Sequence, residues 1–130
     1  MDIKSLMIGD WVYNKHHGKN IRLKPYDFFT HTHNEFGEQE LAPFAKPTIG
    51  KDLEPIPLTD VILRKNGFQY FHKNFCSLSY DHPFKLEMEQ WPDENGLGGL
   101  WTICGIIEIR FVHQLQHALR LCGINKEIEL

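Results

Sequence analysis

Cysteine is scarce in this chain: Cys76, Cys104 and Cys122 are the three present, and they lie far apart. No C-x-x-C occurs, which excludes a zinc ribbon and a thioredoxin-type dithiol. Each cysteine has apolar neighbours and is expected to act as a small buried hydrophobe. No apolar run approaches the roughly 20 residues of a membrane helix, so no membrane partner is expected. The opening MDIKSLMIGDWV has no basic stretch leading into an apolar one, which argues against a signal peptide. A cytoplasmic location is the expectation. Basic charge is also short, with 14 Lys and Arg against 17 Asp and Glu and a formal net charge of −3. Gripping a phosphate backbone takes clustered cations, so charge gives no support to a nucleic-acid partner. The G-x-S-x-G elbow of a serine hydrolase is missing. Gly96-Leu97-Gly98-Gly99 lacks the Lys-Ser/Thr of a phosphate loop and reads as a flexible hairpin connection.

What is present describes a fold. A chain of 130 residues with 42% apolar content suits a single domain with a real core. Trp11-Val12-Tyr13 suits a strand, Asn14 to Asn20 is rich in turn formers, and Ile21-Arg22-Leu23 alternates, which together predict a hairpin. Pro25 to Lys51 carries Pro25, Pro43 and Pro47 and no firm period, so short strands joined by irregular chain are expected there. Leu53-Glu54-Pro55-Ile56-Pro57-Leu58 is a stiff, extended connector. Thr59 then suits an N-cap, Asp60 the first turn, Arg64 and Lys65 the last, and Gly67 the C′ position. This predicts a helix of about two turns.

Strands follow: Phe68–His72, Phe75–Tyr80, and Phe84–Glu89. In the last, Phe84, Leu86 and Met88 alternate with Lys85, Glu87 and Glu89. Leu100 to Ile109 is strongly β-prone. The period then turns helical, with Val112, Leu115, Leu119 and Cys122 in one stripe, Ala118 beside it, and Gly123 as the stop. His113, Gln114, Gln116, His117 and Arg120 are expected on the flanks and solvent side. Lys126 to Leu130 reads as an edge strand or ordered tail. The expected class is α+β: one domain, a mainly antiparallel sheet, a short central helix, and a C-terminal amphipathic helix on one face.

His113 and His117 have the H-x-x-x-H spacing that lets two imidazoles share a zinc ion on a helix. In a hydrolytic zinc site a glutamate between them is the general base. Gln114 holds that position, and a neutral amide takes up no proton. Two ligands do not complete a zinc site; His31 and His33, two apart on an expected strand, would have to converge with them. The plainer reading is an amphipathic helix with idle imidazoles and no cofactor. Glu87 and Glu89 share a strand face and read first as solvated carboxylates. Among the aromatics, Trp91 beside Pro92 and Trp11 in the first strand are the candidate binding residues.

Leu6-Met7-Ile8-Gly9-Asp10-Trp11-Val12, the connector and helix LEPIPLTDVILRKNGF (53–68), and FVHQLQHALRLCGINKEIEL (111–130) occur in that order. The combination resembles a family of small uncharacterised proteins of gut bacteria, their phages and mobile elements. The resemblance implies a cytoplasmic protein and brings no catalytic residue with it. In similar sequences the helix often reads V-H-Q-L-Q-N, which implies that His117 is not a family-wide metal ligand.

These observations lead to an expected function: a non-enzymatic binding protein for a protein or small-molecule ligand. It would use a sheet face or edge with its aromatics, and an uncovered apolar face would make it a homodimer. The alternatives are a histidine-dependent metalloprotein on His113, His117, His31 and His33, and a phage-derived regulator that touches nucleic acid.

Overall fold

The computed structural model describes residues 6–24, 29–33, 39–43, 52–81, 84–91 and 99–130; for 29–33, 39–43, 80, 81 and 84 the description covers backbone alone. Two compact units make up the chain, Met1–Ile56 and Pro57–Leu130. The class is α+β, with two antiparallel sheets of three and five strands, a paired hairpin and two helices among the described residues.

In the first unit, β1 (Trp11–Asn14) and β2 (Lys19–Arg22) form the expected hairpin, pairing Trp11 with Arg22 and Asn14 with Lys19. The side chain of Asn14 shapes the turn: its Oδ1 accepts from the N–H of His16 at 2.9 Å and of His17 at 3.2 Å. Gly18 follows at φ +64°, where a side chain would be strained. β3 (Phe29–His33) and β4 (Gln39–Pro43) pair as a separate antiparallel hairpin, matching the short strands expected between prolines. β5 (Leu53–Glu54) joins the far edge of β1, giving the order β2-β1-β5. Leu6, Val12, Leu23 and Leu53 form the core here. The turn before β1 is held by the buried Asp10, whose Oδ2 accepts from the N–H of Met7 at 2.7 Å.

In the second unit, α1 (Asp60–Lys65) starts as its sequence predicts. Thr59 Oγ1 accepts from the N–H of Ile62 at 3.3 Å, Asp60 occupies the first turn, and Gly67 lies at φ +90° past the end. The connector before it is tied to the chain ahead of the last helix, with the Leu58 N–H donating to the Arg110 carbonyl at 2.9 Å. β6 (Gln69–His72), β7 (Phe75–Asp81), β8 (Phe84–Trp91), β9 (Leu100–Ile103) and β10 (Ile107–Ile109) form a sheet in the order β10-β9-β8-β7-β6, each paired with its sequence neighbour. Cys76, Leu78, Leu86, Met88, Trp101 and Ile103 alternate inward and are buried. α2 (Val112–Leu121) packs against the strands and buries Val112, Leu115, Ala118 and Leu119.

Leu100 to Ile109 is β, as its composition predicts, and folds as a hairpin: Cys104 at φ 53° and Gly105 at φ 71° turn it, with the Ile106 N–H donating to the Ile103 carbonyl at 3.0 Å. Three expectations need correction. Cys104, in that turn, and Cys122, capping α2, are exposed; burial holds for Cys76 alone. His113 and Gln116 are buried, so the covered arc of α2 is wider than its apolar stripe. Phe68 is a buried loop residue whose N–H donates to the Leu63 carbonyl, one position before β6 starts.

Residues 124–130 form an ordered tail, not a strand. Asn66, buried at the C-terminal end of α1, holds it from both sides. Its Nδ2 donates to the carbonyls of Ile62 and Glu129, each at 2.8 Å, and its Oδ1 accepts from the N–H of Glu129 at 2.7 Å. Lys65 Nζ adds a 2.6 Å bond to the Leu130 carbonyl.

Candidate binding surfaces

One face of the five-stranded sheet is the core. The other carries the side chains that alternate away from it, and the strand register sets them in rows. Phe75 lies opposite Glu89, Glu89 opposite Thr102, and Thr102 opposite Glu108, so one row crosses four strands. Beside it, Ser77 pairs with Glu87 and Trp91 with Leu100. Glu87 and Glu89 are two residues apart on one strand, roughly 7 Å along it. Trp91 is 47% exposed, and its indole Nε1–H donates to Thr102 Oγ1 at 3.1 Å. That bond fixes the ring beside Thr102, within the row, and Thr102 is buried. Phe71 is exposed and its ring lies 5.9 Å from that of Phe75. The surface therefore sets aromatic rings beside carboxylates. Trp91 is the residue that the sequence marks for binding; Glu108 is missed there, because its strand is hidden in the apparent Leu100–Ile109 run.

Trp11, the other aromatic marked from sequence, stands in the first unit. It is half-buried, and the Arg22 guanidinium lies 5.7 Å from its ring centre, across the β1–β2 pair. Arg22 Nε also donates to the Gly9 carbonyl at 3.4 Å. A groove of about 520 Å³ opens here, with Trp11, Asn14, His17, Lys19, Arg22 and Lys24 along it. The signal for it is in the sequence: residues 11–26 contain four Lys or Arg and no Asp or Glu. Whole-chain charge averages that stretch away.

The histidines divide between the units. His113 and His117 are close on α2, with ring centres 5.7 Å apart and planes at 73°, and the His113 ring also stacks parallel on Phe111 at 6.0 Å. Gln114, between them, is committed to the helix start. Its Oε1 accepts from the N–H of Arg110 at 2.7 Å and of Phe111 at 3.1 Å. His31 and His33 are on β3, and their side chains lie outside the described residues. Among the described residues no three His, Cys, Asp or Glu gather as a metal set.

The Cys76 thiol and the Tyr70 phenol are held protonated. Burial, reinforced by Asp60, pushes the Cys76 thiol up to about 11. Burial also raises Tyr70 well above the usual phenol range, and its hydroxyl donates to Asp60 Oδ1 at 2.9 Å. The Arg64 guanidinium lies over the Tyr70 ring at 4.2 Å. A protonated, buried thiol is a poor nucleophile at neutral pH.

Among the described residues no helix is long and apolar enough to cross a membrane. No protein-family model, curated protein or solved structure matches the chain.

Proposed function

We propose that this is a binding protein that holds a basic segment of a partner protein on the outward face of its five-stranded sheet. The observation that supports it most is the row Phe75–Glu89–Thr102–Glu108 with Trp91 fixed beside Thr102 within it. Glu87, Glu89 and Glu108 outweigh Lys85 on that face, so it complements positive charge. Lys and Arg side chains also stack on aromatic faces, and Trp is the strongest such partner. Carboxylates with an adjoining exposed indole thus suit a Lys/Arg-rich peptide better than an apolar or acidic one.

The test is calorimetric titration with a decapeptide of alternating Arg and Lys, with a Glu-rich decapeptide as control. Saturable binding of the basic peptide that weakens as salt rises is expected. It should fall about tenfold or more in the combined Glu87→Gln, Glu89→Gln, Glu108→Gln variant and in Trp91→Ala, since a loss of ~1.4 kcal/mol suffices for that factor. No saturable binding, or binding indifferent to both variants, would overturn the reading.

A further inference from the structure

The row on the outward sheet face continues past Phe75 to the edge strand. His72 lies opposite Phe75, so His72, Phe75, Glu89, Thr102 and Glu108 cross all five strands in order. The two ends of this row differ in chemistry. At the β6 end, the Phe71 and His72 rings lie 5.9 and 5.6 Å from the Phe75 ring. Toward the other end stand Glu89 and Glu108, on either side of Thr102. Among the described residues no ion pair engages Glu87, Glu89 or Glu108. Lys73 stands in the turn that joins β6 to β7, so the ring end carries positive charge where the other carries negative.

Cross-strand ring contacts brace the β6–β7 hairpin, and that role accounts for His72 and Phe75. It uses only part of Phe71, which stays 60% exposed, and a partner ring can stack on the rest. A cationic side chain is disfavoured there by Lys73 and favoured at the glutamates. The spacing fits an extended peptide laid across the strands. Neighbouring strands are roughly 4.8 Å apart, which puts Phe75 about 5 Å from Glu89 and about 14 Å from Glu108 along the row. Side chains on one face of an extended peptide repeat every ~6.8 Å. With one residue on Phe71 and Phe75, the second residue onward comes near Glu89 and the fourth reaches Glu108.

We propose that the segment held on this face is an aromatic residue with two basic residues at the next alternate positions, read in either chain direction. The ring sits on Phe71 and Phe75, and the two cations meet Glu89 and Glu108. This rests on the basic-segment reading above and adds to it the ring and its place at one end.

The full chain is titrated by calorimetry with three decapeptides that share Gly-Ser flanks. Their centres read Phe-Ser-Arg-Ser-Arg, Ala-Ser-Arg-Ser-Arg and Arg-Ser-Phe-Ser-Arg. The first should bind saturably and about tenfold more tightly than the second, a difference of ~1.4 kcal/mol. The third should be weaker than the first, because a central ring seated on Phe71 pushes one Arg past the sheet edge. In Phe71→Ala, an exposed position where the circular dichroism spectrum should not change, the first peptide should fall to the affinity of the second. The pair of changes forms a double-mutant cycle that isolates the ring contact.

Equal binding of the first two peptides, both weakened by the combined Glu87→Gln, Glu89→Gln, Glu108→Gln change, overturns the ring assignment and leaves the basic-segment reading standing. So does saturable binding of the Arg-Lys decapeptide alone. A third peptide as tight as the first, or an advantage of the first that survives Phe71→Ala, also overturns the assignment. Absence of saturable binding by any of these peptides overturns both readings.

Discussion

Cys104 is the residue whose backbone disagrees most with its side chain. It is the only described non-glycine residue at positive φ, at 53°, followed by Gly105 at 71°. Two successive left-handed residues make the hairpin turn that Asn-Gly fills best, and a non-Gly, non-Asn residue there costs about 1 kcal/mol. Cys104→Asn is therefore expected to stabilise the protein by about 0.5–1 kcal/mol, raising the thermal midpoint by roughly 2–5 °C in a chain of this size. Scanning calorimetry checks it, and no gain would mean that the turn is not strained. Asn66 is the opposite case, a buried side chain whose three hydrogen bonds close the end of α1 on the tail. Asn66→Ala strands the backbone N–H and carbonyl of Glu129 and should cost about 2–3 kcal/mol. Hydrogen exchange should then accelerate across 124–130 before it does in the sheet.

At the scale of elements, α2 starts without a polar N-cap, since Phe111 holds that position and has no side-chain acceptor. Gln114 supplies the substitute by reaching back to two N–H groups. Gln114→Ala should destabilise the protein by about 1 kcal/mol in urea unfolding. Gln114→Glu should hold or raise stability, because a carboxylate at a helix N-terminus is favoured. That variant also writes H-E-x-x-H into the chain, yet its carboxylate should stay on the helix start, so added zinc should bring no peptide or ester hydrolysis. A zinc-dependent hydrolase in this variant would revive the metalloprotein alternative.

Elements whose boundaries are set locally were legible in the sequence. Thr59, Asp60 and Gly67 mark α1, and the Leu86–Met88 alternation marks β8, because caps and periods act over a few residues. Two features were not legible. The turn at Cys104-Gly105 lies in a run with strand composition throughout, and cysteine is no signal for a left-handed residue. His113 and Gln116 are polar but buried, since the neighbours of α2 decide how wide an arc it covers. The quoted stretches that carry the family resemblance are also mostly occupied with folding: Leu6, Val12, Asp10, Leu58, Thr59, Val112, Gln114 and Leu115 are core, turn or cap residues. Such motifs disclose a fold and leave chemistry open. Trp91 could be marked as an aromatic, but its charged surroundings needed the strand register.

For the whole molecule, a net charge of −3 conceals segregation, with an acid-free basic stretch over 11–26 and three glutamates on one sheet face. The global quantity that the buried groups control is stability at alkaline pH. Cys76 has an ordinary thiol pKa of 9.0 when unfolded and about 11 when folded, with burial as the main cause and Asp60 next. As pH rises past about 9 the unfolded chain releases this proton while the folded chain keeps it, so the unfolded state gains and stability falls. The contribution is complete below about 9 and is lost as pH climbs to about 11, a change on the order of 2–3 kcal/mol. Tyr70 acts with the same sign from about pH 10 upward, since burial and the Asp60 hydrogen bond raise it too. Urea unfolding between pH 8 and pH 11 should therefore show a midpoint that declines from about pH 9. In Cys76→Ala the first part of that decline should disappear, with the midpoint flat to about pH 10 and falling only beyond it. A wild-type midpoint constant to pH 11, or an unchanged decline in the alanine variant, would place the thiol outside the dry core that the inward row of β7, β8 and β9 defines.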